Sequence, residues 1–174
     1  EFGFVVDVAV QQDPDMGQIM SLVADGTHDL VLDVWTDFHS GAIAAHEDQL
    51  ELIGTIYTDA VTGLVVPRYT YQNGITKISD LASNDVAGKV ITGIDPGAGL
   101  MDTVQSDIIP DYGLDTAGYT LESGTSDTMT AALADAIAAG DDIIVTLWQP
   151  NGQFGVHELE MLEEDLTSHF ALND

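Results

Sequence analysis

Residues 126–148 read SDTMTAALADAIAAGDDIIVTLW, and this stretch determines the fold class that we predict for the chain. Ser126 is a favourable residue for capping a helix, and Gly140 is a favourable residue for ending one. The run Ile143–Leu147 is continuously apolar and rich in β-branched side chains, which predicts a buried strand. Between the two caps, apolar residues recur on one helical face, namely Met129, Leu133, Ala136 and Ile137. A helix, a glycine and a buried strand in this order are typical of α/β proteins.

Similar units lie on the amino-terminal side of this stretch. The alternation of Val6, Val8 and Val10 predicts a strand, and the apolar run Leu30–Val34 predicts a buried strand that ends on Trp35. Between them, Asp13 and Pro14 begin a predicted helix that carries Met16, Ile19, Met20 and Val23 and stops near Gly26. The other predicted elements are helices over 43–52, 78–81 and 99–109 and strands over 63–67, 89–94 and 118–121. We therefore expect an α/β fold.

The charge balance excludes several classes of partner. The chain has 30 acidic residues and only 3 lysines and arginines, so its formal net charge is −27. Such a surface repels phosphate backbones, so we expect no nucleic-acid partner. The carboxylates are scattered among apolar periodic segments rather than grouped in blocks, which indicates a folded acidic surface. The acidic residues repel one another in dilute buffer, and about 1 M salt shortens the screening length to roughly 3 Å and so removes most of this repulsion. We therefore infer a protein that works in high salt.

Signatures of catalysis and of cofactor binding are weak. The chain has no cysteine, and His157-Glu158 lacks the second histidine of a helical zinc pair. Gly97-Ala98-Gly99 resembles part of a nucleotide-binding loop, but Asp102 stands at the position of the third glycine. We predict neither a cofactor nor a metal, and no enzymatic activity.

Two tryptophans follow apolar runs, Leu32-Asp33-Val34-Trp35 and Val145-Thr146-Leu147-Trp148. In open α/β folds, ligands gather beyond the carboxyl ends of strands, where both indoles would project. Each tryptophan alone is about as well explained as an ordinary core residue, but together they favour a ligand site. His39 lies four residues after Trp35.

Four motifs occur in order along the chain, namely WTDFH at 35–39, GLVVPRY at 63–69, GIDPGAGL at 93–100 and WQP at 148–150. Together they resemble the substrate-binding proteins of glycine betaine and choline ABC importers. The resemblance covers essentially the whole chain.

This resemblance implies a two-lobed, type II periplasmic-binding-protein-like fold with a ligand cleft between the lobes. Lobe I would comprise residues 1–67 and 147–174, and lobe II residues 68–146. By the same resemblance, Trp35 and Trp148 would line an aromatic cage for a quaternary ammonium group, and His39 with the backbone amides of Gly99 and Leu100 would bind a carboxylate. The implied partners are a small zwitterionic or cationic methylated amine, an ABC permease and its ATPase, and the implied location is extracytoplasmic.

Two differences from the family pattern are visible. Some family members carry a third tryptophan where this chain has Ala98, so we expect the cage to be open there or closed by another ring, with Phe38, Tyr57 and Tyr69 as candidates. Both ends of the chain also look shortened relative to the family. An incomplete sheet edge would expose unpaired backbone groups, and we expect it to favour homo-oligomers.

Two other functions remain open at the sequence level. A ligand-sensing or structural module could retain this fold without transport. An enzyme could use His39 with Asp37 or Asp95 as acid and base, but the sequence offers no activated nucleophile and no metal cluster.

Overall fold

The computed structural model describes residues 3, 5–9 and 15–170, which form a mixed α/β structure. Its α-helices are α1 (Met16–Ala24), α2 (Ser40–Ala45), α3 (Arg68–Gln72), α4 (Ile78–Leu81), α5 (Gly99–Thr103), α6 (Ile109–Asp111), α7 (Leu114–Ala117), α8 (Ser126–Ala139) and α9 (Gln153–Val156). A 3₁₀ turn covers Ala87–Lys89, and a π-helical turn over Val104–Ile108 joins α5 to α6. The strands are β1 (Val61–Pro67), β2 (Val90–Thr92), β3 (Thr120–Glu122), β4 (Ile144–Gln149) and β5 (Leu159–Met161).

The strands form one sheet in the order β3-β2-β4-β1-β5. Strand β2 is parallel to β3 and β4, whereas β1 is antiparallel to β4 and β5. The register of β1 and β4 places Val61 opposite Gln149 and Thr62 opposite Trp148. The sheet contains strands from both predicted lobes, and the lobe boundaries at residues 67 and 147 stay a prediction.

Two apolar clusters cover the faces of the sheet. Because successive side chains of a strand point to opposite faces, Leu64 and Val66 of β1 contribute to one cluster and Val65 to the other. Strand β4 follows the same rule, with Ile144 in the first cluster and Val145 in the second. Both central strands are therefore buried on both sides, as the continuous apolar runs predicted.

The stretch that opened the sequence analysis forms the predicted helix and strand. Thr125, rather than Ser126, caps α8, because its side-chain oxygen accepts a hydrogen bond from the N–H of Thr128 at 3.2 Å. Gly140 ends the helix with a φ of 77°, a conformation that glycine adopts without strain. Leu133 and Met129 pack their side chains into the second cluster. The prediction for this unit is confirmed apart from the identity of the cap.

The amino-terminal part differs from its predictions. The described residues 5–9 and 30–34 form no strand, and Leu32 is 64% exposed. Asp33 has a φ of 62°, which interrupts an extended run. Helix α2 ends at Ala45 rather than near residue 52. Val10, Asp13 and Pro14 lie outside the described residues, and Asp15 caps α1 by accepting a hydrogen bond from the Gly17 N–H at 2.8 Å.

Membrane-spanning character is not found in the part of the chain that the structure describes. Among its helices, none combines the length and the apolar character needed to cross a bilayer.

Candidate functional site

Trp35 lies at the centre of an aromatic group. Its ring centroid is 6.3 Å from that of Phe38, with the planes tilted by 36°, and 6.2 Å from that of Tyr57, in an edge-on arrangement at 68°. Both separations are typical of favourable aromatic pairs. All three rings are partly exposed, so the group presents aromatic surface to solvent. The structure thus brings together Trp35 and two of the three additional rings predicted for the cage.

His39 is tied to the backbone of Trp35. The Trp35 N–H donates to the His39 Nδ1 at 3.2 Å. Burial lowers the pKa of the His39 imidazole, and the negative charge of Asp33 opposes this shift in part. An imidazole that is neutral and accepts at Nδ1 carries its proton on Nε2. His39 can therefore offer one neutral N–H donor to a ligand beside the aromatic group.

The start of α5 lies against the aromatic group. Gly99 is the first residue of α5, and a methyl group built on it would lie 2.7 Å from Cδ1 of Phe38. Only a glycine lets the phenyl ring approach this closely. The N–H groups of Met101 and Asp102 donate to the carbonyl of Ala98, the N-cap, at 2.9 and 3.3 Å. The amides at the beginning of the helix, those of Gly99 and Leu100, can thus serve an acceptor from outside it.

Ala98 and Leu100 pack into different apolar clusters. Ala98 is partly buried and packs against the cluster that contains Val145 and Leu147, whereas the Leu100 side chain is 4% exposed within the other. The Leu100 side chain is therefore part of the core, and its backbone amide is the group that could bind a ligand. Ala98 provides no ring at this position.

Trp148 lies near the end of β4 and is partly buried. Its indole packs against both apolar clusters. Its cross-strand neighbour is Thr62, whose hydroxyl is buried without a hydrogen-bond partner in the described part of the chain. The ring contacts of Trp35 extend to Phe38 and Tyr57 and, within residues 15–170, do not reach Trp148. The two halves of the predicted cage are therefore not in ring contact.

Tyr69 lies elsewhere in the molecule. It follows the carboxyl end of β1, whereas Thr62, opposite Trp148, lies near the beginning of that strand. Its hydroxyl donates to the backbone carbonyl of Asp141 at 2.5 Å, and burial, followed by the charges of the two neighbouring aspartates, raises its pKa. It lines a separate cavity of about 300 Å³ together with Arg68, Gln72, Ile137, Val156, His157 and Glu158. The structure does not bring Tyr69 to the other candidate residues.

A family model for the substrate binding domain of the ABC-type glycine betaine transport system, OpuAC, matches residues 5–173. The match covers nearly the entire chain, including each candidate site residue. The chain belongs to this family.

Individual relatives agree with this assignment. The glycine betaine/carnitine transport binding protein GbuC of Listeria monocytogenes is 38% identical over 74 residues, which are 42% of this chain and 24% of the relative. The crystal structure of lactococcal OpuAC in its closed-liganded conformation with glycine betaine superposes with a TM-score of 0.73 at 30% identity, covering 93% of this chain and 60% of that one. A ProX protein of Borrelia burgdorferi, described as a glycine betaine, L-proline ABC transporter binding protein, superposes with a TM-score of 0.70 at 27% identity, covering 85% and 55% of the two chains.

The comparisons confirm the predicted family and the predicted fold class. The fold is α/β and of the type II periplasmic-binding-protein kind. The chain spans less than two thirds of the length of these relatives.

In this OpuAC family member, sequence reasoning missed the contact of Asp33 with the candidate site residues. The Tyr57 hydroxyl donates to the Asp33 carboxylate, and the charge of Asp33 acts on His39. The aspartate stands inside the apolar run Leu32-Asp33-Val34, and a carboxylate within such a run was the available signal. We did not connect Asp33 with the site because we predicted a strand over residues 30–34. In a strand, the Asp33 side chain would point to the face opposite to those of Leu32 and Val34.

Proposed function

We propose that the chain is the ligand-binding part of an extracytoplasmic solute-binding protein that captures glycine betaine or a related quaternary-ammonium solute. It would bind the solute in a cleft between two lobes bounded near residues 67 and 147. Trp35 and Trp148 would contact the ammonium group, with Phe38 and Tyr57 extending the aromatic surface. His39 and the amides of Gly99 and Leu100 would donate to the carboxylate. The partners would be an ABC permease and its ATPase.

The observation that supports this proposal best is the contact of Phe38 with Gly99. It places the aromatic group of Trp35, Phe38 and Tyr57 beside the first amides of α5. A quaternary ammonium group has no N–H to donate, so aromatic faces recognise it, at about 0.5–2 kcal/mol each. A carboxylate instead requires N–H donors, which a helix start supplies. A zwitterion with one group of each kind fits this juxtaposition.

Titration calorimetry with glycine betaine, choline, carnitine and proline betaine in molar KCl tests the proposal. We expect saturable binding of at least one of them, and Trp35→Ala should weaken it by about 10- to 30-fold, equivalent to about 1.4–2 kcal/mol of cation–π contact. Tyr71→Ala is the control, because Tyr71 lies in α3, which follows the end of β1 that is remote from Thr62 and Trp148. The ligand proposal fails if none of the four solutes binds, or if both variants weaken binding equally.

We further propose that the protein works in high salt. Of the 3 basic residues, Arg68 pairs with Glu160 at 2.9 Å and Lys77 lies 4.0 Å from Glu163, while Lys89 donates to the Ala117 carbonyl at 2.8 Å. These few contacts leave most of the 30 acidic residues to repel one another at low salt. Dilution from molar KCl should therefore reduce the circular dichroism of the fold, and an unchanged spectrum would contradict this part of the proposal.

A further inference from the structure

Three side chains near the start of the chain form a series that ends on the candidate cage. The Asp33 carboxylate accepts a hydrogen bond from the Tyr57 hydroxyl, and Tyr57 lies edge-on to the Trp35 indole with a centroid separation of 6.2 Å. Asp33 and Tyr57 are 24 positions apart in sequence, so this contact fixes two separate segments to each other.

The Trp35 side chain also acts on the Tyr57 hydroxyl. A hydrogen bond from the Trp35 side chain lowers the pKa of Tyr57, although burial and then Asp33 raise it to about 12 overall. The indole N–H is the only donor on a tryptophan side chain, so this group is directed at the Tyr57 oxygen. Tyr57 thus accepts from Trp35 and donates to Asp33.

Trp35 is held at several points as a result. Its backbone N–H donates to His39, and its ring centroid lies 6.3 Å from that of Phe38 and 6.2 Å from that of Tyr57. Asp33 adopts a φ of 62°, which an aspartate tolerates better than most residues. An aspartate at this position therefore reaches Tyr57 at a small backbone cost.

The series also moves negative charge toward the indole. Hydrogen bonds in a chain polarise one another, so a carboxylate that accepts from a phenol makes the phenol oxygen a better acceptor for the indole N–H. Electron density drawn onto the indole makes its face more negative, which strengthens its attraction for a cation. A neutral group of the same shape would gain nothing from this effect.

We propose that Asp33, acting through Tyr57, is a positioning residue that orients Trp35 and makes the site select a trimethylammonium cation over an uncharged group of the same shape. The inference rests on the proposed function, because it assumes that Trp35 contacts the ligand. It assigns Tyr57 a role as a link between Asp33 and Trp35 in addition to its role as a ring of the cage.

The test compares two probes that differ in one atom. Glycine betaine carries a trimethylammonium group, and 3,3-dimethylbutanoate carries a neutral tert-butyl group in its place with the same carboxylate. Affinities are measured by calorimetry at the lowest salt concentration that retains the full circular dichroism, because screening weakens the charge effect. The readout is the ratio of the two dissociation constants.

Asp33→Asn keeps an acceptor for Tyr57 and removes only the charge, so it should reduce the preference for glycine betaine by about threefold while leaving the affinity for 3,3-dimethylbutanoate nearly unchanged. Tyr57→Phe breaks the series and should reduce the preference by about three- to tenfold. Asp115→Asn and Tyr71→Phe are the controls, since they make the same chemical changes in α7 and α3, and both should retain the wild-type ratio.

The outcomes separate the two proposals. Equal weakening of both probes in Asp33→Asn and Tyr57→Phe would mean that the series is only a scaffold and would overturn the inference, as would an unchanged ratio in both variants. A wild-type protein that binds neither probe would overturn the proposed function and this inference together.

Discussion

The sheet region, residues 61–170, and the amino-terminal region, residues 15–60, both contain apolar runs but bury them to different degrees. In the sheet region, Leu64, Ile91 and Leu147 are fully buried. In the amino-terminal region, Leu52 and Ile53 are each 75% exposed. The apolar runs of β1 and β4 form central strands, each with a partner strand on both sides. The comparison teaches that the sheet region contains most of the buried core, whereas the amino-terminal region supplies Trp35, Phe38 and His39 as partly exposed side chains.

The largest contrast should come from leucine truncation in the two regions. Leu133→Ala removes a fully buried side chain from α8 and should lower the free energy of unfolding by about 2–5 kcal/mol. Leu32→Ala removes a side chain that is 64% exposed and should change it by less than about 0.5 kcal/mol. Urea denaturation in molar KCl measures both values. Similar losses for the two variants would show that residue 32 is buried in solution and would erase the contrast.

A smaller effect should appear where the two regions touch. Gly99→Ala places a methyl group 2.7 Å from Phe38 and must displace that ring, so we expect glycine betaine to bind about three- to tenfold more weakly. Gly97→Ala is the matched control two residues earlier, because a methyl group there meets nothing within 4 Å. Calorimetry on both variants decides the matter, and a Gly99→Ala protein with wild-type affinity would show that Phe38 has no part in the site.

The smallest effect concerns the protonation of His39. Burial lowers the pKa of its imidazole in the folded protein, so the unfolded chain takes up the proton first as the pH falls. The associated stability is present above about pH 6.5 and is lost as the pH decreases toward the folded-state value. Proton-detected titration of the His39 ring should give a lower midpoint in the folded protein than in urea. A folded-state midpoint at or above the urea value would contradict the buried placement.

The sequence predicted the sheet region better than the amino-terminal region for a physical reason. Runs such as Gly63–Pro67 and Ile143–Leu147 are apolar on both faces, and a central strand is the structure that satisfies them. The run Leu30–Val34 has the same appearance, but it contains Asp33, whose positive φ and contact with Tyr57 depend on a residue 24 positions away. Local pattern does not encode such a contact.

The residues of the candidate site show the same difference between local sequence pattern and long-range contact. Trp35 and His39 were recognisable because they follow an apolar run and match a family motif, and Gly99 because it opens a helix after Pro96-Gly97. The approach of Phe38 to Gly99 and the separation of Tyr69 from Trp35 could not be predicted, since both depend on how distant segments pack. Spacing along the chain carries no information about these distances.

The packing of Trp148 against both apolar clusters determines how readily each half of the proposed cage can be redesigned. A replacement at Trp148 disturbs the packing on both faces of the sheet, whereas a replacement at Trp35 disturbs a partly exposed group held by Phe38, Tyr57 and His39. Engineering of new ligand preferences should therefore begin with libraries at Trp35 and its neighbours and leave Trp148 constant as the anchor that preserves the scaffold.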